Sequence, residues 1–212
     1  MPAFWNEVAV LRLGQTMADI CTSIKSCLHP DGSPQRVVLL VGTPGAGKST
    51  LCMELQDALA CETALPRPLQ RISQDELGSR KACVARMEAA LDKGNNVIVD
   101  RCNFDVAQRA HWIKIAKRRG IAPIAIFLDT PNEECKRRVL QRVGHPTLGP
   151  TQQSMAVVER FLALLELPTL VEGFEQVIAS HHMRREETVS AIVGYMKGTQ
   201  LMPACIHQTS KV

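Results

Sequence analysis

A chain of 212 residues with 45% hydrophobic content is long enough to bury one substantial core, which excludes a disordered or low-complexity protein. Lys and Arg exceed Asp and Glu by four, an excess that permits a polyanionic partner without demanding one. No apolar run approaches the ~20 residues of a membrane span, and the eight cysteines show neither C-x-x-C nor a zinc spacing. They read as reduced thiols of an intracellular protein, in nucleus or cytoplasm.

Residues 1–34 are expected to form a helical extension and connector, 35–197 one domain, and 198–212 a loose tail. The pattern from Trp5 to Leu28 is helical and ends at His29-Pro30-Asp31-Gly32-Ser33-Pro34. Glu7 and Asp19 beside only Arg12 and Lys25 make it a poor organellar presequence, so packing on the domain or on a protein partner is its expected role. Arg36 to Val41 is an apolar, β-branched run suited to a buried strand. GTPGAGKST, Gly42 to Thr50, follows and fits G-x-x-x-x-G-K-[ST], and Leu51 to Ala60 has helical spacing. Strand, glycine turn and helix together make an anion nest with a positive helix end behind it. Gly42, Thr43, Pro44, Gly45, Ala46, Gly47, Lys48, Ser49 and Thr50 are therefore expected to hold ATP, with Lys48 on the β- and γ-phosphates and Ser49 on Mg²⁺.

Leu69 to Ser73 reads as a short strand and Glu76 to Lys93 as one helix stopped by Gly94. Val97 to Asp100 is an apolar strand ending in a carboxylate. Asp105 to Gln108 predicts a capping box opening a helix to Arg119, and Ile121 to Asp129 the next strand. Pro131, in the first helical position, opens a helix to Arg142. The segment 143–153 breaks the pattern, and a helix from Ser154 to Leu167, a strand from Glu175 to Ala179 and a helix from Glu186 to Met196 follow. Cys52, Cys83 and Cys135 fall inside helices as small buried hydrophobes. The alternation predicts an α/β P-loop fold of kinase type: a parallel sheet covered by helices on both faces, with a helical lid. Ligands bind such sheets beyond the carboxyl ends of the strands, which puts the P-loop, Ser73 to Asp75, Asp100 to Asn103 and Asp129 on one rim.

No N-K-x-D or L-S-G-G-Q is present, which argues against a switch GTPase or a transporter ATPase. A kinase needs a carboxylate for the attacking hydroxyl and positive charge over the moving phosphoryl group. Asp75 fits the first need and equally fits a helix N-cap. Asp100 can hold a water on Mg²⁺ or be a plain loop carboxylate. Arg138 and Arg142, four apart on one helix face, can close over the phosphates as a lid or form a solvated basic face. The clusters Lys114 to Arg119 and Lys136 to Arg142 can each be a nucleic-acid site or a solvated helix face, and His145 reads as a loop histidine.

Three separated runs carry a resemblance: Gln74-Asp75-Glu76-Leu77-Gly78-Ser79, then Val97-Ile98-Val99-Asp100-Arg101-Cys102-Asn103, then Leu167-Pro168-Thr169-Leu170-Val171-Glu172-Gly173-Phe174. With the P-loop they resemble the kinase domain of the polynucleotide kinase/phosphatase repair enzymes. They resemble more closely still the kinase-like domain fused to plant aprataxin-type histidine-triad proteins. The resemblance implies transfer of the ATP γ-phosphate to a 5′-hydroxyl of DNA or RNA, in nucleic-acid repair or processing. It implies Asp75 as general base and Asp100, Arg101 and Asn103 on the acceptor side. Gln74 stands where the repair kinases have arginine, and Arg80, a candidate acceptor contact, where the animal enzymes have tryptophan, so DNA against RNA and single strand against nicked duplex stay open. No D-x-D-G-T, H-x-H-x-H or K-x-D-G is found, so neither 3′ processing nor strand sealing is expected. Phe104 and Trp112 are the aromatic residues nearest the acceptor elements. Two alternatives stay open: a kinase for a small metabolite or nucleoside, and an ATP-binding module that recruits a partner through its N-terminal helix.

Overall fold

The computed structural model describes residues 34–60, 67–141, 151–180 and 185–198. The expected N-terminal helix, Arg142, His145 and most of the C-terminal tail lie outside the described residues. Strands Val37–Val41 (β1), Leu69–Ser73 (β2), Asn96–Asp100 (β3), Ile124–Phe127 (β4) and Gln176–Ala179 (β5) form one sheet in the order β2-β3-β1-β4-β5. Every neighbouring pair is parallel. Sequence decides which strand goes where. VVLLV carries no polar side chain and takes the centre, fully buried, whereas the edge strands LQRIS and QVIA are only partly covered.

The chain between strands supplies the covering helices: Lys48–Ala60 (α1), Gln74–Leu77 (α2), Arg80–Asp92 (α3), Val106–Arg118 (α4), Asn132–Leu140 (α5), Gln152–Ala163 (α6) and Arg185–Lys197 (α7). Strand alternation splits the core in two. Val38, Leu40, Ile98, Ile124 and Ile126 face Leu51 and Leu55 of α1 and Ile192, Tyr195 and Met196 of α7. Val37, Leu39, Val41, Val97 and Val99 face Cys83 and Met87 of α3 and Trp112, Ile113 and Ala116 of α4. Each large side chain so buried contributes roughly 1.5–3 kcal/mol. Cys52, Cys83 and Cys135 are indeed core residues, and burial pushes the Cys52 thiol well above its ordinary range, so it is an inert filler.

Four expectations change. The single helix expected over 76–93 is two helices, because Gly78 turns left-handed at φ 75° and the Ser79 side chain caps α3 by accepting from the Ala82 N–H. Asp75 is thereby inside the one turn of α2 rather than an N-cap, a position that Ser73 takes. The strand expected over 121–129 is confined to β4, since the Ile121 N–H is spent on the Ala116 carbonyl in closing α4. Pro131 is the N-cap of α5 rather than its first helical residue, and that helix ends at Leu140. The helix expected over 154–167 runs from Gln152 to Ala163, and a 3₁₀ turn at Leu170–Glu172 follows it. No helix among the described residues is long and apolar enough to cross a membrane.

Candidate active site

All five strands point the same way, so every connection after a strand emerges on one rim, and the P-loop sits at its centre. The Gly42 N–H donates to the Cys102 carbonyl at 3.0 Å, which ties the loop to the segment leaving β3. From the other side the Thr130 hydroxyl donates to the Ala46 carbonyl at 3.0 Å and the Thr43 hydroxyl to Cys135 Sγ at 3.4 Å. The brace is tight: a Cβ on Gly45, at φ 90°, would lie 2.3 Å from the Cys135 carbonyl oxygen. Lys48 is nearly buried, and its Nζ donates to the carbonyls of Gly42 at 2.9 Å and Thr43 at 2.8 Å. Ser49 and Thr50 are exposed at the start of α1. A left-handed glycine cradle, a curled lysine and exposed hydroxyls at a helix N-terminus fit the phosphates of a nucleotide.

Beside this cradle lies a cavity of about 390 Å³, lined by Leu51, Leu128, Asp129 and Thr130 and by Arg138 and Arg185. The volume is of the size that holds a nucleoside. Arg138 donates from Nε to Glu134 at 2.6 Å and from Nη1 to the Gly45 carbonyl at 3.4 Å, so the structure brings it to the P-loop. Hydrogen bonds from Arg137, then from Arg138, hold the Glu134 carboxyl down at about 2. Arg185 escaped the sequence reading, although it follows β5 and so emerges on the same rim.

On the far side of the P-loop, β2 and β3 end together, with Ser73 opposite Asp100. Asp75 is exposed just beyond. Asp100 is almost fully buried, and its Oδ2 accepts from Arg71 Nε at 2.9 Å and Nη2 at 2.5 Å. Arg71 also reaches Glu76, and its β2 position, two residues before Ser73, was the available signal for this pair. Asp100 is close enough to Cys52 to oppose ionisation of that thiol, which puts its carboxylate beside the first turns of α1.

Arg101 stands out by what it lacks. Its Nη1 is buried without a hydrogen-bond partner, and among the described residues Arg101 forms no ion pair. The guanidinium lies 5.3 Å from the Trp112 ring centroid. Burial lowers its pKa; the thiols of Cys83 and Cys102 oppose that shift, Arg80 adds to it, and Asp75 opposes it. Asp75, Arg80 and Arg101 thus share one electrostatic neighbourhood. Asn103 does not join it. Fully buried and left-handed at φ 46°, it donates from Nδ2 to the Leu40 carbonyl at 2.8 Å and accepts from Trp112 Nε1 at 2.9 Å. Trp112 is buried as well and offers no face to a base, whereas Phe104 is half-buried, edge-on to Phe161 at 4.7 Å. Behind the segment 101–104 stands Arg109, another residue that sequence reasoning missed. It is fully buried and bidentate to Glu172, and its Nη1 donates to the carbonyls of Asn103 and Glu166.

The basic clusters are largely neutralised. Arg118 pairs with Glu88 and Arg119 with Asp92, seaming α4 to α3, while Lys136 and Arg137 pair with Glu133 and Glu134 of their own helix.

A family model described as an AAA domain matches residues 37–168. The chain is 34% identical over 159 residues to an Arabidopsis thaliana protein named transcription factor bHLH140, a match covering 71% of this chain and 16% of that protein. It is 29% identical over 143 residues to the bifunctional polynucleotide phosphatase/kinase of Schizosaccharomyces pombe, covering 68% of this chain and 33% of that one. The matched region is thus a third or less of either relative. The fold is that of P-loop kinases: APS kinase of Mycobacterium tuberculosis superposes with a TM-score of 0.53 at 17% identity, covering 77% of this chain and 98% of its own.

Proposed function

The chain belongs to the AAA-domain family whose model matches it, and on that premise we propose that it transfers the γ-phosphate of ATP to the 5′-hydroxyl end of DNA or RNA. The observation that carries the reading is Arg101, a half-buried cation with an unpaired N–H, placed with Asp75 on the rim beside the P-loop. A cation left unpaired in a half-buried site is costly unless an anion comes to it. A nucleic-acid end brings both the hydroxyl for Asp75 and the phosphate for Arg101. The name of the S. pombe relative, a bifunctional polynucleotide phosphatase/kinase, supports the same acceptor class.

In this mechanism Lys48 exchanges the carbonyls of Gly42 and Thr43 for the β- and γ-phosphates, and the P-loop amides hold the rest. Asp75 takes the proton from the 5′-hydroxyl as its oxygen bonds to the γ-phosphorus, and the bond to the β-phosphate oxygen breaks to release ADP. Arg138 neutralises the charge that develops in transfer, with Arg142 assigned the same lid role. Mg²⁺, when bound, would supply positive charge to offset that of the phosphates. Ser49 would hold it, and Asp100 through a water, with the phosphates supplying other ligands, since the described residues include no cluster of three His, Cys, Asp or Glu able to hold a metal. The proposed residence is nucleus or cytoplasm, and residues 1–34 are the proposed docking segment for a protein partner.

A small-metabolite or nucleoside acceptor is the second reading, favoured by the burial of Trp112 and the ion pairing of the basic clusters, which leave few free contacts for a long polyanion. Labelled-phosphate transfer to DNA and RNA oligonucleotides with 5′-hydroxyl ends, beside a metabolite panel, separates the two. Asp75→Asn should keep ATP binding and lose ~10²-fold or more in transfer. Near-full transfer by that variant removes Asp75 from the mechanism, and an absence of oligonucleotide product at saturating ATP turns the reading to small acceptors. Nucleotide binding without transfer to anything is the signature of a recruitment module.

A further inference from the structure

Arg185 opens α7 and reaches back to the P-loop. Its Nη2 donates to the Gly47 carbonyl at 3.1 Å, and its Nε donates to Glu54 of α1 at 2.6 Å. The side chain is 33% exposed, neither sealed in the core nor free in solvent. Arg138, on α5, repeats this pattern from the other side of the cavity: Nε on a glutamate, Nη1 on a P-loop carbonyl. A Cβ built on Gly47 would meet Arg185 Nη1 at 3.2 Å and Arg138 Nη1 at 3.5 Å, so two guanidinium groups converge over one glycine of the phosphate loop.

Convergent like charges repel, and here each is steadied by a carboxylate on its Nε edge while its terminal nitrogens face the cradle. Such an arrangement suits an anion lying between them. We propose that Arg185 is a second contact for the donor's polyphosphate, acting across Gly47 from Arg138, with Glu54 as its positioning residue. The proposal rests on the donor half of the reading above and is independent of the acceptor. A rival role exists for the same contacts. Arg185 and Glu54 also line an outer groove of about 500 Å³ between α1 and α7, where the pair would serve only as a strut.

Calorimetric titration of the full chain with ADP and with ATP in Mg²⁺ distinguishes the roles, because it needs no acceptor. Arg185→Gln should weaken both nucleotides about tenfold, the scale of a lost charge-assisted hydrogen bond to phosphate. Arg185→Lys, which keeps the charge but cannot make both contacts, should recover part of that loss, and Glu54→Gln should weaken binding a few-fold. Where transfer is measured, the KM for ATP should rise while that for the acceptor stays put. Affinities within twofold of the parent, with or without a lower melting temperature, make the pair a strut and overturn the proposal. Should Arg185→Gln fail to fold, Arg185→Lys decides alone: unchanged affinity overturns the proposal and at least a threefold loss supports it. A parent chain that binds no ADP overturns this proposal together with the donor reading. A parent that binds ADP but phosphorylates no oligonucleotide overturns the polynucleotide reading alone.

Discussion

Glu172→Gln is the sharpest probe of how the acceptor side is held in place. Arg109 has no exposed side-chain surface and Glu172 only 6%, so the pair is a true interior ion pair. The guanidinium spends Nε and Nη2 on the two carboxylate oxygens, at 2.7 and 2.9 Å, and Nη1 on the carbonyls of Asn103 and Glu166, at 3.0 and 2.8 Å. Glutamine keeps the shape but turns one oxygen into a donor facing an arginine that has only donors. The buried charge is then uncompensated, a loss of about 3–5 kcal/mol. For a chain of this size each kcal/mol lowers the melting temperature by ~2–4 °C, so a fall of ~6–20 °C is expected by circular dichroism, with a matching shift in urea. Because Arg109 also holds the Asn103 carbonyl, the variant should raise the acceptor KM more than the ATP KM, read at a temperature where it stays folded. Replacing both members by Met and Leu should restore part of the stability, since an apolar pair leaves no charge stranded. A loss below about 1 kcal/mol for Glu172→Gln would refute the reasoning, as it would mean that water or a neighbour already compensates Arg109.

Gly45→Ala should cost at least about tenfold in ATP affinity, by titration, because the new methyl meets the Cys135 backbone and φ 90° strains alanine; unchanged affinity would show that the loop yields freely. Asn103→Ala strands the Leu40 carbonyl and the Trp112 N–H, each buried, and should cost about 2–4 kcal/mol in urea unfolding. Tyr195 is the chain's single tyrosine, and burial first, with Glu175 adding to it and Arg36 opposing, pushes its phenol up to about 12. Because that value is raised, its contribution is intact below pH ~10 and is lost as pH climbs towards 12, by roughly 2 kcal/mol. Phenolate absorbance should follow unfolding, and Tyr195→Phe should flatten this part of the pH profile; an unaltered slope would assign it to other groups.

What the sequence made legible, and what it did not, follows from the range over which each feature is encoded. β2 begins and ends where its residues predict, and strand, glycine turn and helix stand where GTPGAGKST implies, because backbone preference and apolar spacing act within a few residues. The Gly78-Ser79 break was readable on the same grounds, as a left-handed stop followed by a capping hydroxyl, and so was Thr169-Leu170-Val171-Glu172, whose glutamate accepts from the Thr169 N–H. The charge partners were not. Arg71 lies 29 positions from Asp100, Arg109 lies 63 from Glu172 and Arg185 lies 131 from Glu54, and only the fold brings each pair together. D-x-x-N spacing is likewise the same whether its asparagine faces the rim or the core. Here Asn103 turns left-handed and faces inward, which makes it a pin between β1 and α4, while Arg101, two residues before it, keeps an unpaired nitrogen. One short segment therefore holds two kinds of residue. Substituting the inward one should show first in stability, and substituting the other first in acceptor affinity, so Arg101→Gln beside Asn103→Ala separates support from recognition within three positions of the chain.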